Sequence, residues 1–295
     1  MRSGRTVVLF IITTVVSIAI GVVSLVALMD YPRAGVLVAI SAPVQDIDIG
    51  SFDRLLDLYV RDGLVYYAAL RSDRAGLDRF VSSLRTEPVE FDTEPINVRK
   101  AFWLNAYNAL ILETVINNYP IRGQSLGYPA NSIRQIPGAF DLQTHQVAGL
   151  DLTLDTIETT ILPGLSDARL FLALGRGAID SGRLRSETYV PSRIEEQLEE
   201  VLEEFAISDR HVNLNRLAQE VSVSSIFGWR EEEFVATYAD QNWIDSGRTP
   251  LERAILSAIE PKLFPRERRF LEENQFRLQY HSFDWRLNDL TGGRP

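Results

Sequence analysis

Asn97-Val98-Arg99-Lys100-Ala101-Phe102-Trp103-Leu104-Asn105-Ala106-Tyr107-Asn108-Ala109-Leu110 opens a stretch that runs on without Gly or Pro to Asn118, where Tyr119-Pro120 closes it. At helical spacing its apolar residues cover nearly the whole circumference, so it reads as a helix buried at the centre of a domain. Asn105 and Asn108 stand three apart on one side of it. Amides buried there must find partners, and the simplest reading is that they tie neighbouring loops to the helix. A contact with a ligand is the alternative.

Shorter elements surround this helix. Ser51 to Val60 puts Phe52, Leu55, Leu56 and Tyr59 on one helical face. Asp62-Gly63 is a turn signal, followed by a short strand from Leu64 to Tyr67 and an amphipathic helix from Leu70 to Leu84. Leu152 to Leu162 reads as a short helix with Thr153 at its N-cap and Asp155 in its first turn. Leu170 to Leu174 is a continuous apolar run of the kind a buried strand shows. Ser192 to Phe205 is a helix with Ser192 and Glu195 at capping-box spacing. Its stripe of Ile194, Leu198, Val201, Leu202 and Phe205 opposes a glutamate-rich face, which reads as solvated. Helices with a few short strands and no regular alternation imply an α+β class: one mainly helical domain, residues 51–290, with a small central sheet.

Before that domain, Thr6 to Met29 carries no charge, with Arg2 and Arg5 ahead of it. A helix of that length exceeds the roughly 30 Å hydrocarbon core of a bilayer. Residues 1–29 are therefore expected to be one transmembrane helix and residues 30–50 a tether. A cleaved signal peptide is the competing reading, but its apolar region is about 7–15 residues and ends small-x-small. Here Leu25-Val26-Ala27 puts a bulky residue at the first small position. The positive flank places the N-terminus in the cytoplasm and the domain outside it. The expected location is a bacterial inner membrane, single-pass, with the domain on the periplasmic side. The expected contacts are lipid through the one helix and integral-membrane protein partners.

The net charge of the 295 residues is −10, which argues against nucleic acid as a partner. Cysteine is absent, so disulfides, thiolate nucleophiles and Cys-ligated metals are excluded. The elbow of serine hydrolases, the zinc helix, the phosphate-binding loop and the calcium loop are all missing. His145, His211 and His281 are scattered. Ser181 beside Asp180 has no His near it in sequence to activate its hydroxyl. No catalytic residue, cofactor or metal site is assigned on these grounds.

Four ordered blocks carry a resemblance. They are Tyr59 to Tyr67, Lys100 to Ala109, Leu152 to Glu158 and Phe283-Asp284-Trp285-Arg286-Leu287-Asn288. Together they resemble the bacterial family called domain of unknown function 547 over about Phe52 to Asn288. The resemblance implies a His where Phe171 stands, a Cys at Arg176, another Cys near Ser181 and a His at Thr159, after Glu158. Those positions look like the family's reactive or metal site. Here a phenyl ring, a permanent cation and two hydroxyls replace them, and none repeats the chemistry of Cys or His. Arg176, placed after an apolar run, must be exposed or paired, with Glu158 or Asp180 as the candidate carboxylate. Asn105, Asn108, Glu158, Asp284 and Trp285 are the candidate pocket or contact residues.

The function that follows is a non-catalytic structural or interaction subunit of a membrane protein assembly, of respiratory or photosynthetic type. The alternatives are an extracytoplasmic hydrolase or transferase with an unrecognised site, and a small-ligand or peptide binder.

Overall fold

In the computed structural model, which describes residues 48–85, 93–239, 243 and 246–292, the first helix is α1, Ile49–Tyr59. Asp48 caps it by accepting a hydrogen bond from the Ser51 amide at 3.0 Å, and its face of Phe52, Leu55 and Leu56 is buried. Strands β1 (Val60–Arg61) and β2 (Leu64–Val65) pair antiparallel around Asp62 and Gly63, both at positive φ, the geometry of a tight hairpin.

The single helix expected from Leu70 to Leu84 is two: α2, Tyr67–Ser72, and α3, Ala75–Ser83. The break falls at Asp73, whose carboxylate accepts the Tyr59 hydroxyl at 2.8 Å and so ties the turn back to α1. The separate α3 can then stack Phe80 flat on Phe52, ring centroids 4.3 Å apart. The strand expected to reach Tyr67 ends at Val65 for the same reason, since Tyr67 is already helical.

Helix α4, Ile96–Asn118, is the centre, with an unbroken buried run from Lys100 to Leu112. After it come the hairpin of β3 (His145–Val147) and β4 (Leu150–Leu152), then α5, Leu154–Thr156, capped by Thr153. Helix α5 continues as one π-helical turn, Ile157–Ile161, which carries Glu158.

Two expectations fail here. The apolar run Leu170 to Leu174 is no strand. Residues Ala168–Leu172 form a 3-10 helix whose first turn Asp167 caps through the Arg169 amide. Burial accounts for the apolar run, and burial does not distinguish the two conformations. A strand would need a neighbour to satisfy its backbone. Here Asn108 supplies those bonds, its side chain donating to the Ala173 carbonyl and accepting from the Gly175 amide. Second, α6 is Ile194–Ile207 and its N-cap is Arg193, with no side-chain cap from Ser192. Glu195 is drawn instead to Lys100 and Arg169, two cations that outcompete a single backbone amide.

The remaining strands are β5 (Val212–Asn215), β6 (Glu220–Val223) and β7 (Arg277–Tyr280). Strand β6 lies between the others, antiparallel to β5 and parallel to β7. The crossover from β6 to β7 holds α7 (Ser225–Trp229), α8 (Glu231–Tyr238), α9 (Pro250–Ile259) and α10 (Pro265–Glu272). The described residues make one mainly helical α+β unit, but its strands lie in three separate small sheets rather than one central sheet. An all-round apolar α4 occupies the position a central sheet would take. The C-terminal segment closes the unit against its start. Tyr67 donates to Asn288 at 2.7 Å, and Tyr119 donates to Asp289 at 2.8 Å.

Among the described residues no helix is long and apolar enough to cross a membrane. The expected transmembrane segment, residues 1–29, and nearly all of the tether, 30–50, lie outside them.

Candidate functional site

The residues singled out by the resemblance converge only in part. Arg176 is fully buried, delivered to the side of α4 by the turn that Asn108 clamps. Its guanidinium grips Glu158, with Nη2 to Oε1 at 2.7 Å and Nε to both carboxylate oxygens at 3.2 Å. A fourth bond runs from Nη1 to the Phe171 carbonyl at 3.2 Å. Tyr107 of α4 donates to the far oxygen of Glu158 at 3.0 Å. From the other side Arg230 places Nε 3.7 Å from Oε1 and donates Nη2 to the Glu158 carbonyl. The Phe171 ring packs beneath Arg230, 4.6 Å from its guanidinium carbon.

The electrostatics follow. Burial pushes the Glu158 carboxyl up, but Arg176, Arg230 and the Tyr107 hydroxyl together outweigh it and hold it below the ordinary glutamate range. Burial pulls Arg176 down, and Glu158 more than restores it. Burial and the Glu158 charge lift Tyr107 well above its ordinary value. Glu158 is therefore an anion already committed to two arginines and a tyrosine. It is a poor general base, because every proton acceptor site it offers is engaged.

Against this cluster lies a cavity of about 170 Å³. Trp285, Trp229 and Phe140 give it aromatic walls, and Asp155, Thr159, Arg134 and Arg230 supply polar groups. Thr159 turns its hydroxyl back to the Asp155 carbonyl at 2.6 Å. Trp285 joins Trp229, Phe283 and Tyr128 in an aromatic ridge with neighbouring centroids 4.5–6.1 Å apart. The adjacent Asp284 does not line this cavity. It pairs with Arg286, and its amide donates to Asp180 at 2.8 Å.

Ser181 lies elsewhere. It lines a second cavity, of about 520 Å³, and its Oγ accepts the Ala178 amide at 3.2 Å. His211 lines the same cavity, stacked flat on Phe205 at 3.9 Å with Nδ1 buried and unpartnered. Burial, Arg210 and His281 push its pKa down to about 3. Asn105 and Asn108 reach neither cavity. Asn105 clamps the Tyr189 backbone through both its amide atoms, as Asn108 clamps residues 173–175. Among the described residues no group of three or more His, Asp or Glu is placed to hold a metal ion.

Sequence reading missed Arg134, Asp155, Trp229 and Arg230 as cavity residues, and His211 as the neighbour of Ser181. These residues come from four separate segments, and no spacing in the chain links them. His211 carried no comparable signal, since the polar run Ser208-Asp209-Arg210 separates it from the end of α6.

Comparison with known proteins gives one family. The model described as protein of unknown function, DUF547, matches residues 95–206. That span holds α4, Glu158, Phe171, Arg176 and Ser181, and it ends within α6. The blocks at 59–67 and 283–288 lie outside it. No curated protein and no solved structure matches the chain.

Proposed function

We propose that this chain, a member of the DUF547 family through residues 95–206, is a non-catalytic, membrane-anchored domain outside the cytoplasm that serves as a structural or interaction subunit of a membrane protein assembly. One observation carries the reading. Where the resemblance implies a cysteine, Arg176 sits fully buried and bidentate on Glu158. A guanidinium there is neither nucleophile nor metal ligand, and it occupies the carboxylate that a reaction would need free. The same pair joins the π turn to the segment after the 3-10 helix, so the position supports shape. The aromatic ridge supports contact: Trp229 at 44% and Tyr128 at 39% exposure are large surfaces to leave in water.

Anchoring rests on Thr6 to Met29, and the outside location on Arg2 and Arg5 ahead of it. The experiment is extraction of native membranes in mild detergent followed by crosslinking and size measurement. The reading expects the chain in a particle larger than itself, crosslinked to an integral-membrane protein. Extraction as a lone chain under conditions that preserve other membrane complexes would remove the assembly role.

A serine hydrolase is the second reading, favoured by the placing of Ser181 and His211 on one cavity. Two details weigh against it. No hydrogen bond joins His211 to the Ser181 hydroxyl, which accepts the Ala178 amide instead, and no carboxylate orients the ring through Nδ1. Incubation with a fluorophosphonate decides the matter. Labelling at Ser181 would establish an activated serine, and the absence of labelling supports the non-catalytic reading.

A further inference from the structure

The three arginines on the smaller cavity differ in how they are used, and Arg176 is committed to Glu158. Arg230 is spent: it bonds Glu233 at 3.2 Å and the Glu158 carbonyl at 3.2 Å, and it faces the Glu158 carboxylate. Arg134 is not. Its guanidinium lies over Phe140 at 4.2 Å and over Trp285 at 4.4 Å, held by two rings. Among the described residues its side chain makes no hydrogen bond and no close ion pair, and its one carboxylate neighbour is Asp155 of the same cavity, which it attracts without direct contact. Its Nε is buried with no partner. The Nε of Arg230 is likewise unpartnered, but Arg230 has carboxylate and carbonyl partners for its other nitrogens, whereas Arg134 has none, and a charged donor left unsatisfied is destabilising unless something fills the site.

We infer that the cavity beside the Arg176–Glu158 pair is a binding site for a small carboxylate, which would lie against the open edge of Arg134 with its apolar part against the wall that Trp229 and Trp285 form. The inference is independent of the assembly role. A planar guanidinium fixed by stacking loses little entropy on binding, and its paired N–H groups match the two oxygens of a carboxylate. Size sets the upper limit. A cavity of about 150 Å³ accepts benzene, and this one measures about 170 Å³, so benzoate or a smaller aliphatic acid fits. Asp155 opposes the ligand. It lines the same cavity, and its own carboxyl has no ion pair among the described residues. Burial pushes that carboxyl up, against the pull of Arg134 and Arg230.

The test is calorimetric titration of the detergent-solubilised full chain with benzoate, acetate and inorganic phosphate at fixed ionic strength. Saturable binding of benzoate is expected. Arg134→Gln should weaken it by about 10–100-fold, the equivalent of losing one or two charge-assisted hydrogen bonds. Arg134→Lys should retain charge but lose the bidentate geometry and fall between. Asp155→Asn should tighten binding, an effect that general damage to the fold would not give. No saturable binding of either carboxylate, binding unchanged in both Arg134 variants, or binding of phosphate alone would each overturn the assignment.

Discussion

Glu158 and Arg176 depend on each other, since each charge is buried and each is the other's main partner. Arg176→Ala leaves Glu158 in a dry site with only Tyr107 and the more distant Arg230. A loss of about 3–5 kcal/mol in urea unfolding is expected. Pairing Arg176→Met with Glu158→Gln removes both charges and should recover most of that loss, because the desolvation penalty goes with them. His211 gives a pH signature with a definite sign. Its folded pKa of about 3 lies below the ordinary 6.5, so the fold favours the neutral ring. That stability is complete above pH 6.5 and is lost as pH falls toward 3, by about 1.4 kcal/mol per pH unit. His211→Phe keeps the stack on Phe205 and removes the titration. Chemical unfolding at pH 7 and pH 5 should show the wild type about 2 kcal/mol weaker at the lower pH and the variant much flatter. Glu158 adds its own loss only below about pH 4.5, since its folded pKa is depressed from that value.

The segments around the site are held by backbone fit as much as by side chains. Gly182 faces the Leu172 carbonyl so closely that a Cβ there would fall 1.7 Å from its oxygen. Gly182→Ala must push its own turn away from the 3-10 helix that ends at Leu172, and it should unfold the domain or lower its melting temperature by more than any conservative core change. Asn108→Ala should cost about 1–3 kcal/mol, because it orphans the Gly175 amide and the Ala173 carbonyl. These elements also mark what was legible in the sequence. The buried α4, the α1 face, the Asp62-Gly63 turn and the Thr153 cap rest on local rules of periodicity and turn chemistry, and they appear where those rules put them. The stretch 168–172 did not, because an apolar run reports burial and not conformation, and the residues that follow it are clamped by an amide more than sixty residues away. Ser192 and Glu195 failed as a cap because Lys100 and Arg169 compete from other segments. Arg134 could not be linked to Trp285, nor Ser181 to His211, since only the folded chain brings them together. The need to pair Arg176 was readable, and Glu158 was one of two carboxylates named for it.

At the scale of the molecule, the proposed role joins an anchor, an outward-facing domain and a site rebuilt for shape. N-terminal sequencing of the mature protein should return the original start, and a new terminus near Leu28 or Asp30 would mean a signal peptide instead. Protease added to intact spheroplasts should degrade the domain. The proposal that this domain acts by contact rather than by chemistry is tested most directly with Arg176→Ala and Ser181→Ala placed in the native organism. Each is scored for folded protein, for co-purification with membrane partners and for phenotype. Ser181→Ala is predicted to match wild type throughout, while Arg176→Ala loses its partners as its fold weakens. Ser181→Ala that stays folded and assembled but loses the phenotype would contradict the account and put a serine nucleophile in place of the cysteine that the resemblance implies.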